Sequence, residues 1–531
     1  MILDTLPILP LAAGLAAAGI AYFLVRLYTV RRAFRHLPGP PHDMLWGHLK
    51  VFGEYHAKFP SETYIHGSLT QMKQDYALPD LFYLDLWPFG PRFVVCSGPD
   101  AAAVPTTVTP FPQATAVARF FATSRVGASF IEATNGPLWK ELHMMLGPGL
   151  TPASVRGYHG VIADEAKGLH DHIRAVAERG ETVDLGTELS RLPFGVITRI
   201  FFGEKMDDEA IRANFKVAAG LAGKMVSGNN PWIRWRISQG VKKNLAAVDK
   251  VLVGRIQARY KVLQGEKVLP TRATATNFLD RMLVGQVQSG RGLDERLMAM
   301  VLENAKGFLV AGWGTTTDTL CYIFILLSVF PDALRKLREE HDRVFDKDSS
   351  TSFQMLLEKP SLISELKYTE AVINETLRLF PIGIVVRDPP AGQKTFEFKG
   401  KQYPCEDHLV AVCSNAIHYD ASIFPEPCEF RPERFLTGDD DAFPRNAFRP
   451  FERGLRSCMG REVAMDEMKI ALLMLARWFD FTLRDHDPVA TPRLGYTNLD
   501  TKVGIHAFQS PGFSAGPHGA VRMDIRVAKR V

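Results

Sequence analysis

The sequence predicts a mainly α-helical chain, and three stretches carry that expectation. Glu295–Phe330 contains no proline and is rich in helix formers; at 1.5 Å per residue it would span about 50 Å. Arg461–Trp478 places Ala464, Met468, Ala471, Leu472 and Leu475 on one stripe at helical spacing. Leu6–Val25 is uncharged and built from Leu, Ala, Ile and Gly, and about 20 such residues suffice to cross a bilayer as a helix.

Taken in order, the N-terminal stretch comes first. Arg26, Arg31, Arg32 and Arg35 follow it at once, whereas Asp4 is the only charged side chain before it. That asymmetry places the N-terminus in the lumen and the bulk of the chain in the cytosol. A cleaved signal peptide carries its positive charges before the apolar run. Pro7 and Pro10 lie at the start, where a helix tolerates them best. Leu37-Pro-Gly-Pro-Pro41 then reads as a stiff linker. The expected organisation is an anchor over residues 1–36 with its helix at about 6–25, a hinge at 37–41, and one large domain over 42–531.

Composition narrows the function. A net charge of +5 over 531 residues does not argue for nucleic acid. The six cysteines, Cys96, Cys321, Cys405, Cys413, Cys428 and Cys458, form no C-x-x-C pair. Neither a zinc site nor a secreted disulfide framework is suggested, and reduced thiols facing the cytosol fit better. Asp439–Asp441 reads as a solvated loop, and there is no internal repeat or low-complexity segment.

Cys458 stands in Phe451-Glu-Arg-Gly-Leu-Arg-Ser-Cys-Met-Gly460, or F-x-x-G-x-R-x-C-x-G. One cysteine framed by glycines and an arginine is what a haem-thiolate site needs, because the thiolate serves as axial ligand and pushes electron density toward bound dioxygen. Gly454 and Gly460 let the backbone turn tightly against a flat porphyrin. Backbone N–H groups and the helix that follows favour the thiolate charge, and Arg456 is placed to reach a haem propionate. The competing reading, a buried structural cysteine in a Gly-rich turn, is opposed by three further segments.

With them the chain resembles the cytochrome P450 family. Glu375-Thr-Leu-Arg378 is by itself an ordinary i,i+3 ion pair, but Phe430-Arg-Pro-Glu-Arg-Phe435 follows it, and Ala416-Ile-His-Tyr-Asp420 lies between. In the family that order implies a buried triad of Glu375, Arg378 and Arg434 that holds the haem-binding core and does no chemistry. Ala311-Gly-Trp-Gly-Thr-Thr316 resembles the groove in the long distal helix, with Thr315 at the position that handles oxygen and its protons. A small-residue patch for close helix packing is the other reading of Gly307, Gly312 and Gly314. Gly314 departs from the family, which has Asp or Glu there, and this leaves the usual proton relay in doubt. Trp139-Lys-Glu-Leu-His143 resembles W-x-x-x-R with histidine in place of arginine; His143 either donates to a propionate or is a surface residue of an amphipathic helix. Arg387 matches a propionate-binding arginine.

The resemblance covers nearly the whole chain. It implies a mainly α fold with a small β region, as one large haem domain behind an N-terminal transmembrane helix. It implies haem b (iron protoporphyrin IX), NADPH-cytochrome P450 reductase as electron donor because no second catalytic module follows the cysteine loop, and contact with membrane lipid in the endoplasmic reticulum. The reaction implied is insertion of one atom of dioxygen into an apolar small molecule. By position, substrate contacts are expected around Val104–Ser129, Phe308, Leu309, Ile382–Val386 and Ala507–Phe513. The LPGPP hinge, Arg338–Asp342 and the F-R-P-E-R-F run resemble fungal members, many of which act in secondary metabolism. Gly314 motivates one alternative, a haem-thiolate isomerase, dehydratase or coupling enzyme. A haem sensor or electron carrier is the other.

Overall fold

A computed structural model describes residues 8–206, 209–227, 231–436 and 443–529. Asp439–Asp441 lies outside them, as do the first two residues of the apolar stretch. The long helix runs unbroken over Glu295–Val329. Asp294 caps its start by accepting from the Leu297 N–H at 2.7 Å, and it stops where Pro331 bars Phe330 from continuing the helix. It is apolar enough to cross a membrane, but most of its apolar window is buried inside the domain. Val301, Leu309, Leu320, Ile323, Ile325 and Leu326 are fully covered. Helices Arg191–Phe202, Lys367–Leu379 and Arg461–Leu475 pack around it, so this is the axis of the largest hydrophobic core.

The β region is small, as expected. Leu81–Asp85 pairs antiparallel with Arg92–Cys96, which pairs parallel with Leu409–Val412, which pairs antiparallel with Val385–Arg387. A short hairpin joins Gln509–Pro511 to Ala515–Pro517. It is pinned to the chain end of the Glu375 helix region by Ala515 N–H to Ile382 carbonyl, 2.7 Å, and by Gln509 to the Pro381 carbonyl, 3.1 Å.

The N-terminal segment differs from its expected outline. The helix does not end near Val25 but continues to Phe34. Its first turns expose Leu11, Leu15, Ile20 and Tyr22, the surface and length of a membrane anchor. Its last turns do not. Val30 and Phe34 belong to the core beneath the four-stranded sheet. Arg31 is completely buried, paired with the equally buried Asp85 and donating to the Trp87 carbonyl at 2.7 Å. Burial alone would raise the Asp85 carboxyl, but His42 and Arg31 outweigh it and hold the group below its ordinary range. The hinge is docked as well: the Tyr83 N–H donates to the Pro38 carbonyl at 2.8 Å, and His48 bonds the Pro40 carbonyl at 3.1 Å. A Cβ on Gly39 would lie 2.7 Å from the Tyr83 carbonyl oxygen. The expected boundary at residue 36 therefore falls inside packed structure, because a charge read as flanking the membrane is the buried partner of a carboxylate.

Two truncations separate these roles. Removal of residues 1–22, whose described part is exposed, should release the protein from membranes with an unchanged melting temperature. Removal of residues 1–36 should also release it but take from Asp85 its arginine and from the core Val30 and Phe34, costing about 3–5 kcal/mol. Membrane fractionation with thermal unfolding of both forms checks this; equal melting temperatures would show that the Arg31 pair contributes nothing.

Candidate active site

The Glu375 helix supplies the first fixed point. Glu375 and Arg378, one helical turn apart, are both fully buried. Arg378 clamps the carboxylate with two bonds, Nε to Oε2 at 2.7 Å and Nη2 to Oε1 at 2.8 Å. Arg434 adds Nε to Oε1 at 3.0 Å, and the Arg431 N–H donates to the same oxygen at 2.9 Å. Both guanidiniums spend their remaining donors on backbone carbonyls: Arg378 on His418, Pro427 and Glu429, Arg434 on Pro425 and Glu426. The three residues thus come together in one buried cluster.

His418 extends this network to the cysteine loop. Its Nδ1 lies 3.1 Å from the Arg378 carbonyl, and its Nε2 accepts the Arg449 N–H at 3.2 Å. Only a neutral ring with the proton on Nδ1 makes both bonds. Burial, reinforced by the Arg378 charge, depresses the imidazole to about 3, which keeps it neutral. Arg449 then leads through Pro450 into the loop. The Cys458 N–H donates to the Phe451 carbonyl at 2.8 Å and the Ser457 N–H to the Gly454 carbonyl at 3.0 Å. Gly454 has φ +85°, and a Cβ there would stand 2.0 Å from the Thr106 carbonyl oxygen. Only glycine fits that turn.

The loop faces a cavity of about 410 Å³ between the long helix and the helix after Cys458. Cys458 opens onto it, as do Phe451, Arg456 and Gly460 from the loop and Ala311, Gly312, Thr315 and Thr316 from the long helix. Burial raises the Cys458 thiol, against the opposing pull of the Gly460 N–H and the Arg461 charge and N–H. Backbone donors do aim at the sulfur, but in the protein alone they do not outweigh desolvation. Opposite, the Thr315 hydroxyl donates to the Ala311 carbonyl at 2.7 Å.

The polar end of the cavity gathers the other expected residues. Arg456 donates to the Thr134 carbonyl at 2.8 Å and to Asn135 at 2.7 Å, and stacks 4.8 Å above the Trp139 ring. Trp139 and His143 both line the cavity, with ring centroids 4.9 Å apart, Trp139 buried and His143 part-buried. Arg387 does not line it. Its guanidinium binds Gln113, which in turn donates to Glu132 on the cavity wall. Burial raises the Glu132 carboxyl despite Arg387 and Arg456.

The chemistry of this donor set fits a haem. There is one thiol beside apolar walls, and at the far end the Arg456 Nη1 is buried without a hydrogen-bond partner, an orphan donor suited to a carboxylate. A cradle that admits no Cβ at Gly454 completes the match. Cytochrome P450 is the family whose profile matches residues 38–504. The chain belongs to the cytochrome P450 family. This P450 is 29% identical over 512 residues, 96% of both chains, to the cytochrome P450 monooxygenase ptmJ of Penicillium ochrochloron. It is 28% identical over 495 residues to polC of Polytolypa hystricis, covering 90% and 87% of the two chains. A 161-residue stretch, 30% of this chain, is 42% identical to PC-23 of Penicillium crustosum, covering 79% of it. Like these relatives it is an oxidoreductase of the monooxygenase type.

Two sequence expectations change. The long helix of this P450 shows no break at its glycines. A Cβ would meet the Phe130 ring at 2.0 Å from Gly307 and Ile197 at 2.9 Å from Gly312, so these two serve close packing. Of the proposed substrate contacts, Phe121, Phe308, Ile382, Gly383, Val385 and Phe513 reach the cavity, while Leu309 and Ala507 do not line it. Sequence reasoning missed Glu132, Gln113 and Arg449. Only Arg449 had a signal, the Phe-Arg-Pro run at 448–450 that echoes residues 430–432.

Replacing Glu375 with Gln should leave two buried guanidiniums without their shared anion and cost about 3–5 kcal/mol. Haem content after expression and denaturant midpoints measure it. His418→Phe, which keeps the bulk but removes both bonds to Arg378 and Arg449, should lower haem retention while sparing the triad. Wild-type retention would sever the link from triad to loop.

Proposed function

We propose that this P450 holds haem b through Cys458 and oxidises an apolar small molecule in the cavity above it, with electrons from NADPH-cytochrome P450 reductase. The single observation that carries the reading is the position of Cys458 and Thr315 across one cavity. When bound, the haem supplies the activation of dioxygen and the insertion of one of its atoms. The chain's own residues do the rest. Arg456, Trp139 and His143 hold the propionates, with Arg387 acting behind Gln113. Phe451 and Gly460 shape the proximal bed. Phe121, Phe130, Phe308, Ile382 and Phe513 form apolar walls that orient the substrate and exclude water, as small-molecule sites do. Thr315 rests its hydroxyl proton on the Ala311 carbonyl and turns it into the cavity to hand a proton on.

The anchor helix, with arginines directly after its apolar run, supports a place on the endoplasmic reticulum with the domain in the cytosol. Similarity to P450 monooxygenases of Penicillium ochrochloron and Polytolypa hystricis supports a fungal setting, and within it we place the reaction in secondary metabolism. A pure electron carrier needs no such apolar chamber. The isomerase reading rested on the lack of a carboxylate before Thr315, and a carboxylate does lie one helical turn onward.

Metabolite profiling after gene deletion tests the substrate class: an apolar precursor lacking one oxygen should accumulate. Cys458→Ser should abolish the red-shifted band of the reduced carbon-monoxide complex, and its survival would put the ligand elsewhere. Thr315→Ala should cut product per NADPH by roughly 10²-fold, the low end of a positioned proton donor's contribution, with peroxide making up the difference. Unchanged coupling would remove that role from Thr315.

A further inference from the structure

Gly314 is the one glycine of the long-helix cluster that packing does not explain. The nearest atom to a Cβ built there is the Ser514 hydroxyl oxygen, 3.8 Å away. That serine is buried at the tip of the Gln509–Pro517 hairpin, next to the cavity-lining Phe513. Its hydroxyl donates to the Oδ2 of Asp318. Asp318 is four residues after Gly314 and so on the same face of the helix. Side chains of a helix lean toward its N-terminus and cover the preceding turn. The Asp318 carboxyl therefore lies over the turn of Gly314 and Thr315, and Ser514 bridges it to the place a side chain at 314 would occupy. Gly516 confirms how closely the hairpin is fitted: a Cβ there would stand 2.8 Å from both Asp318 oxygens.

We propose that Asp318, acting through Ser514, delivers the proton that Thr315 hands on, taking over one helical turn away the task of the carboxylate that position 314 lacks. Asp318 is a positioning and proton-supplying residue, not one that touches the reacting atoms. The inference rests on the monooxygenase reading above. The transfer is a proton shift along two hydrogen-bonded groups and a water. When protonated, the Asp318 carboxyl reverses its bond with Ser514, giving its proton to the Ser514 oxygen as the Ser514 hydroxyl proton passes to a water in the space Gly314 leaves open, and from that water to the Thr315 oxygen. Serine is unchanged, and the carboxylate is reprotonated from solvent on its outer side.

The surroundings suit that task. Burial raises the Asp318 carboxyl to about 6, against the pull of the Ser514 bond and of Lys216 on the neighbouring helix. A donor near the working pH both gives and regains protons readily. The charged and titratable groups facing Asp318 are few. Lys216 is half-exposed, bonded to Thr187 at 2.6 Å and paired with Asp184 at 3.5 Å. Cys321 and Tyr322, on the same helix, are both held protonated by burial. Lys216 is the positive charge that acts on the carboxyl, and its ammonium is shared with Asp184 and Thr187.

Four variants test it: Asp318→Asn, Ser514→Ala, Gly314→Asp, and Gly314→Asp with Asp318→Asn, each first matched to wild type in its reduced carbon-monoxide spectrum. Asp318→Asn and Ser514→Ala should each lower product per NADPH by roughly 10²-fold, with peroxide rising, and Gly314→Asp should restore coupling in the Asp318→Asn background. Wild-type coupling should rise as pH falls through about 6, and the Asp318→Asn profile should be flat. Independently of turnover, the infrared difference between resting wild type and Asp318→Asn should show a protonated-carboxyl band that disappears as pH rises through about 6 and shifts in Ser514→Ala. Unchanged coupling with an unchanged pH profile in Asp318→Asn overturns the proposal, as does the lack of that band. If Asp318→Asn does not load haem, Ser514→Ala decides alone, and wild-type coupling there is fatal. A wild type that consumes no oxygen with NADPH instead removes the monooxygenase reading, an outcome distinct from these.

Discussion

A single buried carboxylate holds the haem-side half of this molecule together. An uncompensated charge at the depth of Glu375 would cost several kcal/mol, and the structure meets that cost with two arginines and a backbone N–H. The consequence is geometric. Each guanidinium must bring further acceptors with it, so Arg378 and Arg434 draw the carbonyls of residues 418 to 429 into one place. A forked, planar donor can do this, and a lysine could not. Because His418 is fixed by Arg378 and in turn fixes Arg449, the order reaches the loop that carries Cys458. The sulfur's position is thus set by groups that never meet it.

The cavity has two ends of opposite character, and each is built by different means. The aromatic end is a matter of shape. Phe121, Phe130, Phe308 and Phe513 lie ring against ring at centroid distances between 5.0 and 6.3 Å, and Gly307 and Gly312 allow the long helix to sit close to Phe130 and Ile197. The polar end is a matter of charge. Arg456 and the Arg387–Gln113–Glu132 chain present guanidinium groups around one buried carboxyl. An apolar substrate and the carboxylates of a porphyrin would sort themselves between these ends without competition.

Anchor and domain are one continuous object. The helix that exposes Leu11 and Tyr22 is the helix that buries Arg31 and Phe34. The angle between membrane and domain is therefore set by a packed joint, with Asp85 at its centre, and not by a free linker. A hydrogen-bonded hinge and a buried ion pair resist swivelling in a way that a polyproline spacer alone would not.

What could be read from the chain was whatever is encoded locally. The lone cysteine in its glycine and arginine frame, the proline-free long helix rich in helix formers, the i,i+3 pair at Glu375 and Arg378, and the apolar run before Arg26 are each encoded in consecutive residues, so residue type and spacing suffice. What could not be read depends on partners far apart in sequence. Arg31 finds Asp85 across 54 residues, Arg387 finds Gln113 across 274, and Asp318 finds Ser514 across 196. Nothing near Arg31 distinguishes it from the membrane-flanking arginines beside it, and although Asp318 stands one helical turn after Gly314, nothing near it shows that it faces a hairpin from the other end of the chain. Burial decides whether a charge is surface or core, and which segments close over it is settled only when the whole chain packs.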